Sequence, residues 1–238
     1  MIENIRQGTL PAGKRAVIAL TSWKKRIDTV GLTIYNLMRV CGPAYHIVLT
    51  LAEEEFPKKE RNLPKDLVLM KNAGVFEILW VKKNYKSFKK TAFAQIRYKN
   101  VPVISADDGC IYTYNYADVL YNAWCHNKKS VIGFKEFKAS KIHCFGSGYG
   151  VIYPPYCFKT YAVNAIVRYA PILNQNPNDD RFIGNLCNVL GIPLLELANQ
   201  PVTFIDTDAD GLSNNGSYIG GFDYIFNDIC TSIIHYCH

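Results

Sequence analysis

Long apolar runs are missing from this chain. No uninterrupted stretch reaches the roughly 18–20 residues a membrane-spanning helix needs, so no span is expected. The opening residues, Met1-Ile2-Glu3-Asn4-Ile5-Arg6-Gln7-Gly8, are polar and lack the apolar core of a secretory leader. The eight cysteines (41, 110, 125, 144, 157, 187, 230 and 237) contain no Cys-x-x-Cys pair. The neighbours Cys125-His126, His143-Cys144 and Cys237-His238 have the wrong spacing for a structural zinc site. The thiols read instead as small apolar groups in a core, in a reducing compartment. Zinc-finger spacing, an aromatic-glycine RNA-binding signature and basic heptads are all absent, so no nucleic-acid partner is expected. Nor does any repeat, linker or low-complexity tract divide the chain. Acidic side chains are the minority, 20 against 27 basic, for a net charge of +7. That balance favours anionic partners, either nucleotide phosphates or an anionic membrane face. A cytoplasmic protein able to sit at the inner face of a membrane is the expectation.

What is present is ordinary core-forming material. Of 238 residues 49% are apolar and 20% charged, which suits one α/β domain. Aromatics reach 13%, with sixteen tyrosines, which suits stacking or sugar-contacting surfaces. Ala16-Val17-Ile18-Ala19-Leu20 reads as a first strand ending in Thr21-Ser22-Trp23, followed by a helix that Asp28 or Thr29 caps, with Val30, Ile34, Leu37 and Met38 on one face. Strands at His46–Leu51 and Phe76–Val81 flank a short helix that Pro64 opens and Gly74 ends. Ser87 is placed as the cap of a helix to about Tyr98, before a strand at 101–105. Alternating strands and helices predict a parallel sheet with right-handed crossovers. The second half predicts a helix over Tyr116–His126, a strand over Ser130–Phe137 and another at Val151–Tyr153. Helices from about Tyr156 to Tyr169 and from Asp179 to about Leu190 precede a last strand at Ile192–Leu197. Residues 1–112 are read as a nucleotide-binding half, and 113–238 as an acceptor half with a tail, within a single domain.

Chemistry concentrates where strands end. Val101-Pro102-Val103-Ile104-Ser105 runs into Asp107-Asp108-Gly109, and two adjacent carboxylates repel unless a cation or water-filled cleft compensates them. Ligands in open α/β sheets collect at the carboxyl ends of strands, so the pair reads as a metal- or phosphate-handling site, with an acidic turn as the bland alternative. The ends of the first and fourth strands share one edge. Thr21, Ser22 and Arg26 therefore face the acid pair there. Lys24, Lys25, Lys89 and Lys90 are, taken singly, the kind of lysine usually found solvated at the surface. Asp179 and Asp180 open a helix, where one cap and one general base are expected, with Asp180 the preferred base. Gly146-Ser147-Gly148-Tyr149-Gly150 lacks a following Gly-Lys-Ser/Thr and is no P-loop. Asp206-Thr207-Asp208-Ala209-Asp210-Gly211 starts like a calcium loop but has Ser217 where the bidentate glutamate belongs, so it reads as a solvated acidic turn.

The segments "ALTSWKKRID", "YKSFKK", "VISADDGCIY" and "NDDRFIGNLCNVLGI" resemble the bacterial capsule and lipopolysaccharide glycosyltransferases of the GT-A fold, in order over residues 16–197. The resemblance implies a GT-A-like, mostly parallel sheet flanked by helices. It also implies transfer of a sugar from a nucleotide-diphosphate donor, a uridine donor by preference, to a glycan or lipid-linked acceptor. A divalent ion, manganese or magnesium, would bridge the diphosphate. On the matching positions, Thr21, Ser22 and Arg26 would line the nucleotide pocket, and Lys89 or Lys90 would approach the diphosphate. Asp107 and Asp108 would hold the metal, while Gly148 and Tyr149 would lie near donor or acceptor sugar. Relatives often carry three acids before an Ile-Tyr or Val-Tyr pair; here the third position is Gly109, and Tyr112 follows. An inverting transfer would use Asp180 or Asp179 as base; with no base in use, a retaining transfer is the competing stereochemistry. The competing readings are an inactive sugar-nucleotide binder, suggested by Gly109, and a nucleotidyltransferase. The latter would need a glycine-rich loop after the first strand, and "TSWKKR" has no glycine.

Overall fold

Strand β1 (Ala16–Thr21) has an apolar run with no polar alternation, so both of its faces have to be covered. They are. Ala16, Ile18 and Leu20 enter one core and Val17 and Ala19 the other, all at 0% exposure. The computed structural model describes residues 5–139, 142–198, 202–204 and 222–235.

In chain order β1 is followed by α1 (Val30–Cys41), β2 (Tyr45–Ala52), α2 (Lys65–Asn72), β3 (Glu77–Val81), α3 (Thr91–Arg97) and β4 (Val103–Ser105). Next come β5 (Cys110–Tyr112), α4 (Tyr116–His126), β6 (Val131–Gly133), β7 (Glu136–Ala139), β8 (Ile142–Phe145) and β9 (Val151–Tyr153). Then α5 (Thr160–Leu173), α6 (Asp179–Val189), β10 (Leu194–Glu196), β11 (Val202–Phe204) and α7 (Asp223–His235) complete the described chain. Seven strands form one mixed, mostly parallel sheet in the order β3-β2-β1-β4-β9-β6-β10. Helices α1, α2 and α4 cover one face through Val30, Ile34, Leu37, Leu67 and Leu120. Helices α3, α5, α6 and α7 cover the other through Phe93, Ile166, Phe182, Leu186, Phe226 and Ile233. The strand order reverses direction at β1, which has β2 on one side and β4 on the other. In an open α/β sheet that reversal opens a crevice beyond the carboxyl ends of the two strands.

The α/β, mostly parallel architecture agrees with the sequence reading; several details differ. Strand β9 runs antiparallel to both β4 and β6, which apolar content cannot announce because direction leaves no mark on a short buried run. The strand expected over Ser130–Phe137 breaks in two. Only Val131–Gly133 joins the main sheet, while β7 pairs with β8 in a separate ribbon. Ser87 caps no helix. Its hydroxyl donates to the Pro177 carbonyl at 2.6 Å, and a 3₁₀ turn over Lys86–Lys89 precedes α3. The helix placed from Tyr156 begins at Thr160, since Tyr156 is held at φ +63° and cannot continue a right-handed helix. The Asp206–Gly211 acidic turn lies outside the described residues. Each of the seven cysteines within the described residues is a free thiol, and all but Cys125 are buried. No helix among the described residues is long and apolar enough to cross a membrane.

One glycine is required where the loops meet. Gly150 sits at φ +103°, and a Cβ there would lie 2.5 Å from a ring carbon of Tyr116. Gly150→Ala is therefore expected to destabilise the protein by about 2–4 kcal/mol, from backbone strain plus overpacking. Urea unfolding followed by circular dichroism would register this as a lower midpoint at unchanged slope.

Candidate active site

The β1–β4 crevice is built by side chains that tie the loops together. Thr21 hydroxyl donates to the Thr50 carbonyl at 2.7 Å, binding the ends of β1 and β2. Thr33 hydroxyl, on α1, lies 3.1 Å from the Asp108 carbonyl and 3.0 Å from that of Cys110. Asn36 brackets the next residue pair, its amide donating to the Tyr112 carbonyl at 3.0 Å and its oxygen accepting the Tyr112 N–H at 2.7 Å. The Tyr112 hydroxyl accepts the Asp107 N–H at 2.9 Å and donates to the Gly148 carbonyl at 3.1 Å. The acidic turn after β4 is thus fixed to α1 on one side and to the glycine-rich loop on the other.

The two carboxylates of that turn part company. Asp108 points inward, accepting from Ser22 hydroxyl at 2.7 Å and from Arg26 guanidinium at 2.9 Å. Burial raises its pKa, and these two partners oppose the rise. Asp107 points outward, its side chain 39% exposed, and accepts from the Lys90 ammonium at 2.5 Å. Lys90 is buried; it also donates to Ser147 hydroxyl at 2.6 Å and stands 3.3 Å from the Asp179 carboxylate. Burial works against its charge, but Asp107, Asp179 and Asp180 together outweigh it and hold the pKa well above the usual lysine value.

Asp179 and Asp180 come to this cluster from the start of α6. Neither is the cap, because the Asn178 side chain accepts the Arg181 N–H at 3.1 Å in that role. Both acids are left for other work. Asp180 accepts the Ser147 N–H at 3.0 Å. Removal from water, then the neighbouring Asp179 charge, pushes its pKa up to about 7, against the pull of Lys90. Lys89 occupies an adjoining position. It donates to the Lys86 carbonyl at 3.0 Å and to Asn84 at 3.3 Å, with Glu55 3.9 Å away. Burial lowers its pKa to about 8. Five carboxylates (Glu55, Asp107, Asp108, Asp179 and Asp180) thus meet three cations (Arg26, Lys89 and Lys90); of the acids, Asp179 and then Asp107 add to the effect of burial in favouring a proton on Asp180.

The structure brings together most residues singled out from sequence and changes their roles. Ser22 and Arg26 bond Asp108, and Thr21 bonds backbone. Lys89 and Lys90 are buried, unlike the surface lysines that composition alone suggests, whereas Lys24 and Lys25 are exposed. Gly148 contributes its carbonyl to Tyr112, and the half-buried Tyr149 packs its ring 5.9 Å from Phe137. Ser147, Glu55 and Asn36 were not legible as site residues. Ser147 sits between two glycines and links Lys90 to Asp180, a function only the fold creates.

A divalent ion of the kind expected at Asp107 and Asp108 does not fit these residues. Both Asp108 oxygens already accept, from Ser22 and Arg26, and Gly109 has no side chain to offer. The oxygens that converge, from Asp107, Asp179 and Ser147, converge on the Lys90 ammonium. Among the described residues no group of three or more His, Cys, Asp or Glu could hold a metal.

No family model matches the chain, and no curated protein matches it. Among solved structures, the crystal structure of GalNAc-T7 with UDP, GalNAc and Mn²⁺ is similar at a TM-score of 0.38 and 13% identity. The match covers 50% of this chain and 22% of that one, so it spans under a quarter of that protein's length. At that identity and overlap the likeness says nothing about what this chain binds.

Proposed function

We propose that this protein is a nucleotide-sugar-dependent glycosyltransferase of the GT-A type, acting on a glycan or lipid-linked acceptor in surface polysaccharide synthesis. The observation that supports it best is the Asp180–Ser147–Lys90–Asp107 chain at the β1–β4 crevice, where a raised carboxyl and a firmly charged ammonium share one serine. The acceptor hydroxyl loses its proton to the Asp180 carboxylate as its oxygen bonds the anomeric carbon. The bond from that carbon to the diphosphate breaks, and the electron pair leaves with the nucleoside diphosphate. A base near neutrality suits this step, since it is ionised enough to accept and basic enough to pull. Inverted stereochemistry follows from direct displacement. The preference for a uridine donor and the positive charge that would suit an anionic membrane face belong to the same reading.

The test is release of nucleoside diphosphate from a panel of sugar nucleotides, with lipid-linked and free glycan acceptors. Turnover of at least one donor is expected, with the anomeric configuration of the product inverted by NMR. A second reading, a sugar-nucleotide binder without turnover, is favoured by the inward, Arg26-paired Asp108. Tight binding with no release across the whole panel would establish that reading instead.

A further inference from the structure

We infer that Lys90 stands where a divalent cation would, so that this site holds a nucleoside diphosphate without a metal ion. The inference rests on the nucleotide-binding reading of the β1–β4 crevice. Three oxygens from separate elements converge on the ammonium: Asp107 Oδ1 at 2.5 Å, Ser147 Oγ at 2.6 Å and Asp179 Oδ2 at 3.3 Å. An all-oxygen set with two acids is the environment that hard cations select. Here the cation is covalently attached, and the side chain that holds it is 3% exposed.

The rest of the acid motif has been turned to structure. Asp108 is closed by Ser22 and Arg26, and Gly109 removes the next carboxylate. Asp107 is the one member of the cage open to solvent. Hydrogen bonds from Lys90 go to Asp107 and Ser147, and the Asp179 contact is an ion pair without hydrogen-bond geometry, its Oδ2 having no hydrogen-bond partner. A diphosphate oxygen arriving from solvent therefore takes the Asp107 place on the ammonium, and Asp107 swings out into water. Asp107 acts as an anionic stopper that the phosphate displaces, the opposite of a metal ligand.

The two roles predict opposite mutant behaviour. Binding of UDP, GDP and dTDP would be measured by isothermal titration on the full chain, in EDTA and again with Mn²⁺. The wild type is expected to bind its preferred nucleotide in EDTA within about threefold of its affinity with metal. Asp107→Asn is expected to tighten binding in EDTA, because a competing charge is removed, and Lys90→Met to weaken it at least about tenfold. Binding that appears only with Mn²⁺, or that Asp107→Asn weakens, overturns the inference and leaves the nucleotide site standing. Binding of no nucleotide under either condition overturns both. Should Lys90→Met fail to fold, the wild-type comparison and Asp107→Asn decide the matter by themselves.

Discussion

Asp180→Asn is expected to lower the transfer rate by about 10²–10⁴-fold, with the loss on kcat rather than KM, the range a positioned general base contributes. The substitution is nearly isosteric. Its amide oxygen can still accept the Ser147 N–H, so the loop is retained while the proton acceptor is lost. The pH profile supplies the second readout. With its pKa pushed up to about 7 by removal from water and by Asp179, Asp180 becomes a carboxylate as pH rises through neutrality. Wild-type kcat/KM should therefore climb through about pH 7 to a plateau, and the variant should lose that limb. Stability should move the other way. The folded value lies above that of an unfolded carboxyl, about 4. The contribution to the native state is thus complete below about pH 4 and lost as pH rises through about 7. A kcat effect under about threefold, or an unchanged pH limb in Asp180→Asn, would rule Asp180 out as the base.

Arg26→Met is expected to cost about 3–5 kcal/mol of stability, since it leaves the Asp108 carboxylate buried with Ser22 alone among its side-chain partners. For a chain of this size that corresponds to a fall of roughly 6–20 °C in Tm. Side-chain exposures of 13% for Arg26 and 10% for Asp108 place this pair with buried ion pairs rather than surface ones, which are worth about 0–1 kcal/mol. The double variant Arg26→Met/Asp108→Leu should lose much less than the two single losses combined, because no unpaired charge is left behind. Calorimetric melts of the three variants check this. Near-additive losses would show that the pair is not the reason Asp108 points inward.

Asp107 and Asp108 are adjacent but point in opposite directions, and nothing in "SADDG" distinguishes them. What does is geometry around the turn. Thr33 and Asn36 come from α1, Tyr112 from β5 and Ser147 from a loop about forty residues further on. Their combined hydrogen bonds turn Asp108 towards Arg26 and leave Asp107 on the outside. The Asp179–Asp180 pair shows the same dependence on distant partners. "NPNDD" signals a helix start and points to one of its two aspartates as the cap, whereas Asn178 takes that place by accepting from Arg181. Once the cap is filled by Asn178, both aspartates are released to the Lys90–Ser147 cluster.

By itself the sequence determined the α/β class, the nearly unbroken burial of β1 and β2, and the meeting of residues 21–26 with 107–108 at one sheet edge. These follow from local causes: β-branched runs, helical periodicity, and the rule that parallel strands end on the same side. The tertiary structure alone decided that β9 runs antiparallel, that Lys89 and Lys90 are buried, and that Asp108 is neutralised by Arg26. It also placed the Lys90 ammonium among the oxygens of Asp107, Ser147 and Asp179. Each of these depends on groups distant in the chain meeting at a few ångströms, where Coulomb and desolvation energies change steeply and residue type no longer predicts role.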